Sequence, residues 1–310
     1  MRILFMGTPQ FAVPCLLRLR ADGYDVVCAV TQPDQPKGRG YALTPPPVKE
    51  AALRLGIPVG QPASLRTPET LALLRGYTPD LIVVTAYGKI LPPEVLSLPP
   101  LGCVNIHASL LPKYRGAAPI QWAVLQGETE TGITSMQMDQ GLDTGAMLLQ
   151  SRIPIPADMT AAQLHDELSA LGADVLSETL AALTAATLRP APQDDALSSY
   201  APLLTKALSP VDWRAGAGEI HNRIRGLFPW PGATASLAGK RLKLMSSRLP
   251  GETLPPGPAG ELLPASGRLL IRCGNGEALE LLALQPDGGK VMAAADYLRG
   301  RPVSPGTAFD

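Results

Sequence analysis

The sequence predicts an α/β domain with a doubly wound parallel sheet, followed by a small β-barrel. Three observations carry this. A strand-helix-strand alternation opens the chain, with Arg2–Gly7 and Tyr24–Thr31 as apolar runs around a helical segment. Leu188–Ser209 contains Pro190, Pro192 and Pro202 and reads as a linker. Beyond it, short apolar runs separated by Gly/Pro turns occupy the last ~100 residues, the pattern of a small barrel. The expected division is 1–188, a linker at 189–206, and 207–310.

In chain order, Arg2–Gly7 is a first buried strand. Thr8 and Pro9 favour a turn into a helix whose apolar face is Phe11, Leu16, Leu17 and Leu19. Pro14 would distort an established helix, so the regular part starts near it. Tyr24–Thr31 follows as the second strand, and the β-α-β order implies parallel pairing. Gly7 stands alone after the first strand, so the dinucleotide fingerprint G-x-G-x-x-G is missing; there is no Gly-Lys-Ser/Thr phosphate loop either. Gln32–Pro47, rich in proline and carrying Lys37, Gly38, Arg39 and Gly40, reads as a long exposed loop. Val48–Leu55 is helical and Asp80–Ala86 is a continuous apolar strand ending in the turn Tyr87–Pro92.

The stretch from Leu101 to Gly145 holds the side chains placed for chemistry. Asn105 and His107 end an apolar run, and the alternation of a strand puts both on one face. That run ends at Ser109–Pro112, where open α/β sheets place ligands. Asp143 sits between Gly141 and Gly145, which let the backbone turn tightly. The trio suits acyl transfer to an amine: Asn and His can donate to a developing oxyanion, while Asp and His can relay a proton. No covalent nucleophile is evident, since Ser109 lacks the glycines of a nucleophile elbow. The rest of the first domain reads as a helix at Ala117–Gln126, strands at Gly132–Asp139 and Ala146–Ile155, and a long helix at Thr160–Ala186 carrying His165 as a surface or packing residue. In the second, a helix at Ala217–Leu227 precedes strands at Ala233–Leu237, Arg241–Ser247, Arg268–Cys273 and Ala278–Ala283, with His221 structural.

Composition bounds the rest. Lys+Arg and Asp+Glu balance at 27 each. Residues 1–188 hold 13 basic and 16 acidic residues, a net of −3, and 189–310 hold 14 and 11, a net of +3. A mildly basic second half permits an anionic partner. Cys15, Cys28, Cys103 and Cys273 are far apart, which indicates neither a zinc site nor a disulfide framework and suits a reducing cytoplasm. The opening Met-Arg-Ile-Leu-Phe-Met-Gly reads as a strand and not a signal peptide, and no apolar run is long enough to span a membrane.

Several motifs carry a family resemblance. Asn105-x-His107, Ser109–Pro119 and Gly141–Gly145 resemble the 10-formyltetrahydrofolate-dependent formyltransferases. Ile3–Ala12, Thr31–Gly40, Phe228–Gly232 and Leu281–Pro286 resemble the members that act on methionyl-tRNA, and the similarity runs over essentially the whole chain. The resemblance implies a Rossmann-like formyltransferase domain and an OB-like barrel that binds tRNA. It implies catalysis by Asn105, His107 and Asp143, with 10-formyltetrahydrofolate against Ser109, Leu110, Leu111 and Pro112 and its pterin against Ile90 and Leu91. It further implies initiator methionyl-tRNA as acceptor, contacted by Lys37, Arg39 and Lys206, and a cytoplasmic monomer that uses no metal. Two alternatives stay open: an aminosugar nucleotide or glycinamide ribonucleotide as acceptor, and a non-catalytic RNA-binding protein on the same scaffold.

Overall fold

The structure is a computed structural model and describes residues 1–37, 42–265, 267–301, 304 and 306–309. It packs as two units. One comprises Met1–Pro119, Thr131–Ile153 and His165–Ala201; the other comprises Ile120–Glu130, Pro154–Leu164 and Pro202–Asp310.

The first unit is built on β1 (Arg2–Gly7), α1 (Val13–Ala21), β2 (Asp25–Val30), α2 (Pro47–Arg54), β3 (Val59–Gly60), α3 (Pro68–Gly76), β4 (Leu81–Thr85), β5 (Cys103–His107), β6 (Glu130–Gln137), β7 (Met147–Pro154) and α4 (Ala161–Thr184). The sheet order is β7-β6-β5-β4-β1-β2-β3. Strands β3, β2, β1, β4 and β5 run parallel, whereas β6 joins β5 antiparallel, with Asn105 opposite Met136 and His107 opposite Thr134. Ile3, Leu4, Phe5 and Met6 of β1 and Leu81, Ile82 and Val83 of β4 are fully buried. That is why these strands read as unbroken apolar runs: helices cover both faces of a parallel sheet. Burying each such side chain contributes roughly 1.5–3 kcal/mol.

Progression along the sheet reverses between β1 and β4, and that reversal opens a crevice at the carboxyl edge. Polar side chains tie this edge together. Thr8 Oγ1 donates to the Tyr87 carbonyl, and Gln32 Nε2 donates to the carbonyls of Tyr87 and Gly88. Gly7 is needed for close packing: a Cβ there would lie 2.8 Å from the Phe5 ring and 3.0 Å from the Thr85 carbonyl oxygen. Within the span expected as one long loop, Gln35–Lys37 and Ala42–Thr44 pair as an antiparallel ladder. Arg39 lies outside the described residues.

The second unit contains α5 (Ala217–Gly226), a curled antiparallel sheet of β8 (Ala233–Leu237), β9 (Lys240–Arg248), β10 (Leu262–Ala265), β11 (Arg268–Arg272) and β12 (Ala278–Pro286) in the order β8-β9-β12-β11-β10, and a short β13 (Met292–Ala293) paired to β12. A terminal helix, α6 (Ala294–Gly300), completes it. Its core gathers Trp213, Ile220, Ile224, Leu242, Leu244, Leu269, Ile271, Leu279, Leu281 and Leu284, and Trp213 stacks on Phe309. Expected strands Arg241–Ser247, Arg268–Cys273 and Ala278–Ala283 lie within or overlap the observed ones; β10 and α6 went unread.

Two earlier segments of the chain belong with this unit. Arg225 donates to the Met159 carbonyl, and a Cβ on Gly226 would press on Leu125. His221 is buried; its Nε2–H donates to the Ala157 carbonyl at 3.0 Å, so neutral Nδ1 accepts from Ser247 Oγ. Burial, with the Arg225 cation adding to it, holds this imidazole below its ordinary value, against the opposing Ala157 carbonyl and Asp158 carboxylate. The unfolded chain therefore binds the proton more readily. Stability is complete above the unfolded pKa of ~6.5 and is lost as pH falls through and below it. Urea unfolding at pH 7.5 and 5.5 is expected to show wild type losing more stability on acidification than His221→Gln; equal losses contradict the assignment.

The four cysteines are free and buried, and burial pushes the Cys15, Cys103 and Cys273 thiols up to about 12. They are packing residues and not nucleophiles. Among the described residues no helix is long and apolar enough to cross a membrane.

Candidate active site

Asn105 and His107 alternate along β5, and both side chains reach Asp143. Asn105 Nδ2 lies 3.5 Å from Asp143 Oδ1, and His107 Nδ1 lies 3.7 Å from Asp143 Oδ2. All three are largely shielded: Asn105 is 9% and His107 6% exposed, and the Asp143 side chain is 13% exposed. Shielding strengthens every charge interaction among them.

The turn after β5 fixes the imidazole. His107 Nε2 lies 2.9 Å from the carbonyl oxygen of Tyr114. A carbonyl can only accept, so Nε2 carries a hydrogen and in the neutral ring Nδ1 is left as the acceptor. Nδ1 is therefore the atom that faces Asp143. Two residues further along, the Gly116 N–H donates to Asp143 Oδ2 at 2.9 Å. One short segment, 114–116, thus holds both the imidazole and the carboxylate.

Asp143 has φ +54°, the left-handed region, which costs a non-glycine residue about 1–3 kcal/mol and persists only when the surroundings impose it. The loop is tightly fitted: a Cβ on Gly145 would overlap the Gln137 carbonyl, and one on Gly141 would overlap Thr144 Oγ1. Gln193 Nε2 donates to the carbonyls of Asp143 and Gly145 at 2.7 and 2.8 Å. The expected linker is therefore structured where it starts. Residues Tyr200–Ala201 pair in parallel with Arg115–Gly116, and residues through Ala201 belong to the first unit. Proline content marks this span as a linker, yet Ala191, Gln193, Ser199 and Ala201 all bond to residues of the first unit. Nothing in local composition marks Gln193, because its partners lie 48–50 residues away in sequence.

The residues expected at folate are disposed unequally. Ser109 and Leu111 are buried within the turn. The Ser109 hydroxyl donates to the Lys113 carbonyl, and its own carbonyl accepts from Thr134. Leu110 and Pro112 are partly exposed, Leu91 is buried, and Ile90 is 72% exposed. Lys37 ends the first strand of the 35–44 ladder, and Lys206 is exposed in the turn Lys206–Leu208.

Comparison with known proteins identifies the family. The model of the formyl transferase family matches residues 1–180, and that of its C-terminal domain matches 203–302. The methionyl-tRNA formyltransferase of Trichlorobacter lovleyi is 52% identical over 99% of this chain and 96% of its own length. That of Caldanaerobacter subterraneus subsp. tengcongensis is 51% identical over 99% of each. The chain belongs to the methionyl-tRNA formyltransferase family. Solved structures extend the fold. An N-formyltransferase from Helicobacter canadensis, in complex with folinic acid and dTDP-3-aminofucose, superposes with a TM-score of 0.70 at 20% identity, covering 90% of this chain and 98% of that one. HypX from Aquifex aeolicus, in complex with tetrahydrofolic acid, gives 0.61 at 20% identity, covering 96% of this chain and 47% of that one. The sequence predicts a Rossmann-like domain and a small OB-like barrel; the chain has the Rossmann-like parallel-sheet domain of this family and a C-terminal domain with a curled antiparallel sheet.

Proposed function

We infer that this enzyme transfers the formyl group of 10-formyltetrahydrofolate to the α-amino group of methionyl initiator tRNA. The identity of about half the residues along both domains to enzymes of that name supports the acceptor. The observation that carries the chemistry is the Asp143 carboxylate set between Asn105 and His107.

The amine nitrogen attacks the formyl carbon, the carbonyl oxygen becomes an oxyanion, and the bond to N10 of the folate breaks. The ammonium then loses a proton and N10 gains one. An α-amine has an ordinary pKa of about 7.7–8.0, and the neighbouring ester lowers it, so a neutral nucleophile is available near pH 7. Asn105 Nδ2 donates to the oxyanion. His107 Nδ1 takes the ammonium proton; once charged, the imidazolium is stabilised by the nearby Asp143 carboxylate and passes that one hydrogen to the departing nitrogen. The segment Ser109–Pro112 and the turn at Ile90–Leu91 flank the crevice and bind the folate in this reading. No step calls for a metal, and the enzyme works as a cytoplasmic monomer.

The second unit takes the tRNA. Arg248 and Arg268 are committed to Glu280, and Arg272 to Glu261. Lys240, Arg241 and Lys243 on β9 are exposed, and Arg241 and Lys243 alternate with the buried Leu242 and Leu244. Their charges are suited to phosphates. Each phosphate contact contributes roughly −0.9 to the slope of log K against log salt on duplex. Replacing Lys240, Arg241 and Lys243 together by Ala is expected to raise KM for tRNA, flatten that slope and leave kcat near wild type. An unchanged slope removes this face from the tRNA site.

Labelled formyl-folate offered with methionyl-tRNA, an aminosugar nucleotide or glycinamide ribonucleotide tests the function. Label is expected on the tRNA; label on either small amine, or on none, overturns the reading.

A further inference from the structure

We propose that Gln193 is a positioning residue for the reaction, holding Asp143 in register with His107, an inference that rests on Asp143 acting in the chemistry proposed above. Its carboxamide is fully used. Nε2 donates to both the Asp143 and the Gly145 carbonyl, while Oε1 accepts from Arg115 Nε at 3.0 Å and Nη2 at 2.9 Å. Arg115 is braced in turn by Asp195 at 2.7 Å. A single side chain thus joins the loop that carries the carboxylate to the segment that orients both catalytic partners, since Tyr114 holds His107 and Gly116 holds Asp143.

The backbone around Gln193 runs the same way. Ala191 exchanges both hydrogen bonds with Met147, just beyond the loop. The Ser199 hydroxyl accepts from the Tyr114 N–H, its carbonyl accepts from the Arg115 N–H, and the Ala201 carbonyl accepts from Ala117 and Ala118. The strap 191–201 is fastened at each end independently of Gln193, so removing this one side chain leaves the strap in place. What it removes is the pair of donors on the two carbonyls that bracket the left-handed turn at Asp143. A displacement of about 1 Å in a reacting group costs on the order of 100-fold in rate.

The test is a double-mutant cycle on the full chain. Gln193→Ala is expected to lower kcat about 10–100-fold with KM for folate and tRNA and the melting temperature near wild type. In an Asp143→Ala background the same change is expected to add less than about twofold, because the group it positions is gone. Gln193→Glu keeps the length and the Arg115 contact but points an acceptor at the two carbonyls, so it is expected to fall with Gln193→Ala; it also serves if the alanine variant folds poorly. An equal fall in the Asp143→Ala background, a fall confined to KM, a fall that follows the melting temperature, or wild-type kcat in the glutamate variant overturns the proposal. Failure of the underlying reading looks different: Asp143→Ala alone would then turn over like wild type.

Discussion

Alanine at Asn105 or His107 is expected to lower kcat by roughly 100–1000-fold, the cost of removing one pre-placed donor from an oxyanion site, and Asp143→Ala, which removes the carboxylate that holds the charged imidazole, is expected to fall comparably. KM for tRNA stays near wild type. The reason is their placement: Asn105 and His107 hang from a strand buried on both sides, and Asp143 is held by the Gly116 N–H and by Gln193. Groups that act as a unit do not lose activity additively, so His107→Ala/Asp143→Ala should be little worse than the poorer single variant. Steady-state kinetics of the three singles and this double checks it; near wild-type turnover in the singles removes the trio from the chemistry. His107→Gln sharpens the point. It retains a donor to the Tyr114 carbonyl but loses the ring nitrogen that faces Asp143, and is expected to be as slow as the alanine variant.

Arg39→Ala is expected to cut initiator formylation strongly while barely affecting formyl-folate hydrolysis. A methionyl elongator tRNA presents the same amine and side chain, so discrimination needs contacts to the acceptor stem itself. Lys37-Gly38-Arg39-Gly40 offers two charges suited to phosphates or base edges. The flanking residues of this chain, Gln35–Lys37 and Ala42–Thr44, pair with each other. Lys37→Ala should act in the same direction but less, since lysine lacks the planar fork of arginine. Comparing kcat/KM of wild type and Arg39→Ala on initiator tRNA with a mismatched and with a paired first base pair decides it. Equal loss on both, or loss on neither, removes Arg39 as the discriminator.

What could be read from the sequence follows from range. Strands buried on both faces show as continuous apolar runs, so β1, β4 and β5 were legible, and the alternation at Asn105 and His107 placed both toward one carboxylate. Asp143 was marked by the glycines on either side of it. Long-range hydrogen bonds leave no such trace. Gln193 sits in a proline-rich stretch that resembles any linker, yet its amide closes the loop around Asp143. The segments 120–130 and 154–164 read as parts of the first domain because they interrupt it, but their contacts to α5 are what group them with the second unit. The antiparallel turn of β6 onto β5 was likewise hidden, since β6 is buried like its parallel neighbours and its sequence carries no mark of direction.

Rapid-quench measurement of one turnover bears most directly on the central claim. Wild type and Asp143→Ala are each saturated with formyl-folate and initiator methionyl-tRNA, so binding no longer limits. The account predicts that label reaches the amine in the variant roughly 100–1000-fold more slowly, with the same amount of tRNA bound at the start. Transfer at the wild-type rate would contradict it and place the chemistry elsewhere in the crevice.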